Sequence, residues 1–322
     1  MSVPCSGSRK TSDLAPSRTG TRQVRLALAW LACWMAGWVP VLWAADEGAV
    51  RLTSDGFFKQ RPVWSPDGGW LVFARHRGAT IYLFQRAADG SVEQRLTPGK
   101  DPEFDAVFSP DGKRVLLAYD KASPNQGDID IYVYERESQQ LTPLVTTQQQ
   151  LSHEEWPSWS PDGKGFAFSS TRYGNPEICV ARADGKEETR LTSDPALDVH
   201  PAWSPDGSHI AFATDRWGDL EIAVMQRDGK GLRRLTTSVG MDDYPAWSTD
   251  SSQIAFTSNR SGNLDVFVVA ASGGAPHQVT RNPGVDNFPS FSPTGRITYV
   301  SQRQGRFDVY EIDIPARQTA TR

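Results

Sequence analysis

The chain has 322 residues, with 34 Lys and Arg against 38 Asp and Glu, a formal net charge of −4 and 38% hydrophobic residues. Residues 1–45 hold five of the basic residues and one of the acidic ones, so the remainder carries a net charge near −8. A negative surface of this kind argues against nucleic acid and anionic membrane as main partners.

The chain opens with a leader. Arg22 and Arg25 precede a charge-free run, Leu26 to Ala44, which is followed by Ala45-Asp46-Glu47. A basic start, an apolar stretch and small residues before an acidic segment read as a secretory signal cut beside Ala44 or Ala45. A run of 19 residues also permits an uncleaved membrane anchor. We therefore divide the chain into a signal peptide, 1–45, and a single domain, 46–322. Cys5 and Cys33 fall in the leader, so Cys179 has no intramolecular disulfide partner in the mature chain. Its strand-like setting makes it a buried small hydrophobe.

From residue 49 onward one phrase recurs. An aromatic followed by Ser-Pro-Asp-Gly, or a close relative, places serines at 65, 109, 160, 204, 248 and 292, with gaps of 44, 51, 44, 44 and 44 residues. A strand-rich repeat of this length predicts an all-β fold, a six-bladed β-propeller. The fourth repeat shows how one blade forms. Pro201-Ala202-Trp203 is a strand, and Ser204-Pro205-Asp206-Gly207 is a turn in which Pro presets φ and Gly accepts a positive one. Ile210-Ala211-Phe212, Glu221-Ile222-Ala223-Val224 and Arg234-Leu235-Thr236 supply three more strands, making a four-stranded antiparallel meander. The aromatics Trp64, Phe108, Trp159, Trp203, Trp247 and Phe291 alternate with the small residues Val63, Val107, Ser158, Ala202, Ala246 and Ser290, and are read as core. Ala49 to Thr53 resembles an outer strand, while Phe307 to Ile312 resembles a third strand. The N-terminal strand is therefore expected to complete the last blade and close the ring. Extra residues around Ala122–Gly127 and after Leu141 account for the single long gap.

Pro-x-Trp-Ser-Pro-Asp-Gly, then Arg-x-Gly-Asn/Asp-x-Glu/Asp-Ile, then Leu-Thr, resembles the WD-like repeat of TolB-type β-propellers. Arg172-Tyr173-Gly174-Asn175-Pro176-Glu177-Ile178 and Arg260-Ser261-Gly262-Asn263-Leu264-Asp265-Val266 carry it. The resemblance spans about residues 49–312. It implies a periplasmic protein that binds a partner in the cell envelope; the best-known member binds a peptidoglycan-associated lipoprotein and helps maintain the outer membrane. TolB proper has an α/β domain before its propeller, for which the leader here leaves no room.

Two levels of the repeat attract functional readings. Three residues before the inner-strand proline stand Lys59, Glu103, Glu154, Asp198, Asp242 and Asp286. They are expected to ring one mouth of the central channel, where like charges would favour a basic partner segment or a shared Ca²⁺. The bland reading makes them caps of their own turns. Two residues further on stand Arg61, Asp105, Trp156, His200, Tyr244 and Phe288. Here the repeats disagree with one another, so the fold does not dictate these side chains. Trp156, His200, Tyr244 and Phe288 are read as mouth anchors, with blade packing as the plain alternative. Arg172 with Glu177, Arg216 with Glu221, Arg260 with Asp265 and Arg303 with Asp308 are expected to pair across their hairpins. No Gly-x-Ser-x-Gly elbow and no phosphate loop occur. The reading is a monomeric, periplasmic protein-binding propeller. The alternative is a metal-dependent hydrolase or lyase in the channel, for which His153 and His200 beside Glu154 and Asp198 are the candidate ligands.

Overall fold

A computed structural model describes residue 46 and residues 48–120, 128–147 and 151–315. The leader and the extra residues of the second repeat around Ala122–Gly127 lie outside the described residues. The described chain forms six four-stranded antiparallel sheets, one per repeat, as the spacing predicts. The inner strands are Lys59–Trp64, Glu103–Phe108, Glu154–Trp159, Asp198–Trp203, Asp242–Trp247 and Asp286–Phe291. In the sixth blade the outer strand is Val50–Arg51, paired with Arg306–Ile312, so the N-terminal strand closes the ring.

Each Ser-Pro-Asp-Gly turn is held by the chemistry of its own letters. In blade 4 the Gly207 N–H bonds the Ser204 carbonyl at 2.9 Å, and Gly207 takes a φ of 72° that an L side chain resists. The Ser204 hydroxyl donates to Asp206 Oδ1 at 2.6 Å, and that oxygen also accepts the Ser208 N–H at 2.9 Å. Bonds to the ionised form favour it, so these donors, the Ser204 hydroxyl first, hold the Asp206 carboxyl down to about 2. The same Ser-to-Asp bond recurs in blades 1, 2, 3 and 5.

The core lies between neighbouring blades. Ile222, Val224 and Leu235 of blade 4 pack with Ile254, Phe256, Phe267 and Val269 of blade 5. Phe73, Phe166, Phe168, Phe212 and Phe256 are fully buried, and each such side chain contributes about 1.5–3 kcal/mol by leaving water. Phe108 and Trp159 are buried, while Trp64, Trp203, Trp247 and Phe291 are half-buried against these clusters. Cys179 is buried, and loss of solvation pushes its thiol up to about 12. Among the described residues no helix is long and apolar enough to cross a membrane.

Candidate functional site: an axial funnel floored by strained residues

In every blade the ladder between the first two strands slips at one place. The register shifts between Gln60 and Val63, Phe104 and Val107, Glu155 and Ser158, Val199 and Ala202, Asp243 and Ala246, and Asn287 and Ser290. Five of the six slips contain a proline, which has no N–H to give the ladder. The first residue of each bulge takes a left-handed backbone: Arg61 (φ 45°), Asp105 (57°), Trp156 (56°), His200 (56°), Tyr244 (55°) and Phe288 (54°). None is glycine, and each such conformation costs about 1–2 kcal/mol. This strain is repeated once per blade and turns these six side chains toward one another.

They meet as a plug. The Trp156 ring lies 4.1 Å from the His200 ring, 5.2 Å from Tyr244 and 6.4 Å from Phe288, measured between centroids. His200 stacks on Tyr244 at 4.5 Å, and Tyr244 lies 4.6 Å from Phe288. The Arg61 guanidinium stands 4.9 Å from the Trp156 centroid and donates to the carbonyls of Asp105 (3.0 Å) and Pro157 (2.7 Å). His200 Nδ1 is 2.5 Å from Asp243 Oδ1. Asp105 is 2% exposed, and its Oδ2 has no hydrogen-bond partner among the described residues. Burial first, with Arg61 and His200 opposing it, sets that carboxyl up at about 6. Burial also raises the Glu155 carboxyl, with Asp105 and Glu154 adding to the effect. It likewise raises the Tyr244 phenol, together with Asp243 and Asp105.

Above this floor a cavity of about 240 Å³ extends toward the Ser-Pro turns. Arg61, Trp156, His200, Tyr244 and Phe288 form its base. Pro62, Pro201, Pro245 and Pro289 stand in its wall with the small residues of the inner strands, and Trp203, Trp247 and Phe291 complete it. Trp64 and Trp247 give their indole N–H groups to Thr298 and to the Ala202 carbonyl. Buried Trp203 Nε1 has no partner among the described residues, so it retains a donor. The result is a concave, mainly apolar site with a few polar groups, the general form of a binding pocket.

The four anchors read from sequence, Trp156, His200, Tyr244 and Phe288, are brought together here. The expectation for the other level is corrected. Lys59, Glu103, Glu154, Asp198, Asp242 and Asp286 are all fully buried, and each is engaged by side chains of its own or an adjoining blade. Asp198 accepts Arg216 at 2.8 Å through both oxygens, Glu154 accepts Ser170 at 2.8 Å and Arg172, and Asp242 accepts Arg260. Glu103 bonds Thr97, Asp286 accepts Asn282 at 3.2 Å, and Lys59 reaches Asp55 and Asp308. The bulge explains the error, because it changes which residue of the inner strand faces the axis. Carboxylates so divided among separate blades do not share one cation. Among the described residues no three His, Cys, Asp or Glu side chains converge as metal ligands would.

The hairpin ion pairs are also corrected. Arg172, Arg216 and Arg260 turn to the inner-strand carboxylates. Glu177 and Glu221 instead pair with Arg190 and Arg234, Asp265 takes Gln278, and Asp308 takes Arg51. The signal for these partners is the Arg that opens each Arg-Leu-Thr, whose Thr bonds the same carboxylate in blades 3 and 4. Arg61, Asp105 and the funnel wall of Trp203, Trp247 and Phe291 join the site beyond the four anchors.

A family model described as the TolB β-propeller domain matches residues 125–244 and 237–321, more than half of the chain. An uncharacterized protein of Agrobacterium fabrum strain C58 is 30% identical over 128 residues, which is 38% of this chain and 44% of that protein. The Tol-Pal system protein TolB of Anaeromyxobacter dehalogenans strain 2CP-C is 36% identical over 125 residues, 39% of this chain and 27% of that one. The matches thus span less than half the length of these relatives. The solved structure of a putative TolB from Agrobacterium tumefaciens superposes with a TM-score of 0.65 at 22% identity, covering 82% of this chain and 93% of that one. Six matching blades, the recurring turn chemistry and the family model agree: the chain belongs to the TolB β-propeller family.

Proposed function

We propose that the protein works by binding, and that a protein or peptide partner of the cell envelope inserts into the axial funnel on the Ser-Pro-Asp-Gly side. One observation carries this reading. Six non-glycine residues are held in a costly left-handed backbone at the axis, and their side chains differ from repeat to repeat. Trp156 and Tyr244, backed by buried Phe288, supply rigid apolar anchors, while His200 and Arg61 orient polar groups. The kinship with a Tol-Pal system protein supports an envelope partner, and the charge-free run after Arg22 and Arg25 supports periplasmic placement. The test is affinity capture from envelope extract with native protein beside Tyr244→Ala and Trp203→Phe. The expected result is one envelope protein retained by the native chain and depleted by both variants while all three chains remain folded by circular dichroism. Equal recovery by all three refutes the funnel as the site.

A further inference from the structure

Blade 6 departs from its siblings at one arginine. In blades 3, 4 and 5 the arginine after the second strand is fixed twice. Its Nε bonds a hydroxyl two residues earlier, on Ser170 (3.0 Å), Thr214 (3.1 Å) or Ser258 (2.8 Å). Its terminal nitrogen then meets the inner-strand carboxylate of the same blade, Glu154, Asp198 or Asp242. Arg303 of blade 6 keeps the first contact, Nε to Ser301 Oγ at 3.1 Å. Its Nη2 goes elsewhere, to Asp46 Oδ2 at 3.0 Å and to the Tyr299 hydroxyl at 3.2 Å.

Asp46 is thus held in a carboxylate slot. Oδ1 accepts the main-chain N–H of Arg281 at 2.6 Å, Oδ2 lies 3.4 Å from the Tyr299 hydroxyl, and the side chain is 1% exposed. The carboxylate that repeat symmetry assigns to Arg303 is Asp286. It is fully buried, and its Oδ2 has no hydrogen-bond partner among the described residues. Among the described residues Asp46, Asp265, Tyr299, Arg303 and Tyr310, whose ring centroid lies 4.1 Å from the Arg303 guanidinium, are the charged and titratable groups around this junction. With no guanidinium on it, Asp286 is driven up to about 7, chiefly by burial, with Asp46 adding repulsion.

We propose that Arg303 is a two-position latch: it holds Asp46, and with it the N-terminal strand, in the slot between blades 5 and 6, and on release of Asp46 it turns to Asp286. The Ser301 contact is common to both positions, so only the end of the side chain moves. The sibling blades display the second position. Such a latch lets the ring-closing strand leave without stranding a half-buried guanidinium, because the released cation meets an unneutralised buried carboxylate.

The test is a set of double-mutant cycles on the full chain, read by melting temperature. Arg303→Met and Asp286→Asn are made singly and together, first in the native background and then with Asp46→Asn, which keeps the side-chain shape. The expected result is additive shifts in the native background, where the two residues do not pair, and clear non-additivity with Asp46→Asn, where they do. A crystal structure of Asp46→Asn is expected to show Arg303 Nη2 on Asp286. Additivity in both backgrounds, coupling already present in the native chain, or an unmoved Arg303 in that crystal overturns the proposal. If Asp46→Asn weakens the fold too far to measure, the Asp286→Asn chain alone decides. Its melting temperature is expected to gain on native progressively between pH 4 and pH 7, the window in which Asp286, raised from 3.8 to about 7, gives up its proton on unfolding, and a constant difference across that window counts against the unneutralised carboxylate on which the latch depends.

Discussion

Phe288 offers a direct test of the strain at the axis. In an ordinary strand or helix Ala is more stable than Gly by about 0.5–1 kcal/mol, because Gly loses more freedom on folding. At Phe288 the backbone φ is 54° and the side chain is 5% exposed. Phe288→Ala and Phe288→Gly remove the same ring and its packing on Tyr244, a loss of about 3–5 kcal/mol in either case. Only Gly escapes the left-handed penalty of about 1–2 kcal/mol. The balance favours Gly over Ala by roughly 0.5–1 kcal/mol, a reversal of the usual order. For a domain of this size that is about 1–4 °C in melting temperature. The assay is thermal and urea unfolding of both variants beside Ala255→Gly, a buried second-strand control in which the native Ala is expected to win. An Ala variant at 288 more stable than the Gly variant, by the margin seen at 255, refutes the claim that the axis imposes this backbone.

Asp198→Asn breaks the buried pair with Arg216 and is expected to cost about 3 kcal/mol, with Arg216→Met costing a similar amount and the two together less than their sum, in urea unfolding. Asp206 sits at about 2 in the folded state against 3.8 for the free group, so its stabilisation is present above pH 4 and lost as pH falls toward 2. Asp206→Asn is expected to flatten that part of the acid-unfolding curve and leave the pH 6–8 region parallel to native. Cys179, buried with its thiol near 12, is expected to resist a thiol reagent at pH 8 in native protein and to react at once in guanidinium; rapid native labelling counts against the packing of blade 3.

Most of the architecture is legible in the sequence because each blade is specified locally. Ser204, Asp206 and Gly207 bond one another within a few residues, and local chemistry of that kind repeats visibly. Ring closure is legible for the same reason, since Ala49–Thr53 reads as the outer strand that Phe307–Ile312 needs. The anchors at the axis are legible as large aromatic side chains at a level where the repeats differ. The inner-strand carboxylates are misread because a shared place in the repeat does not say which way a side chain points, and the bulge at Trp156-Pro157 or His200-Pro201 redirects the strand just beyond them. The partners of Arg216 and Glu221 are misread because adjacency across a hairpin says nothing of the neighbouring strand that offers a better fit. Asp46 is illegible as a slot residue, because its partners lie 235 and 257 positions away.

The seam in blade 6 has a mechanical meaning. Every other blade is drawn from one continuous stretch of chain, whereas this one is laced from both ends, with Val50–Arg51 paired to Arg306–Ile312. Two ladder pairs and the bonds of Leu52 and Thr53 to Val309 make that lace, reinforced by Arg51 and Lys59 on Asp308 and by Asp46 in its slot. A pull applied through the segment before Asp46 therefore loads these few bonds in series before it reaches any other sheet. Tension from that end peels the outer strand of blade 6 first and opens the ring there, while the five remaining blades keep their strands in register.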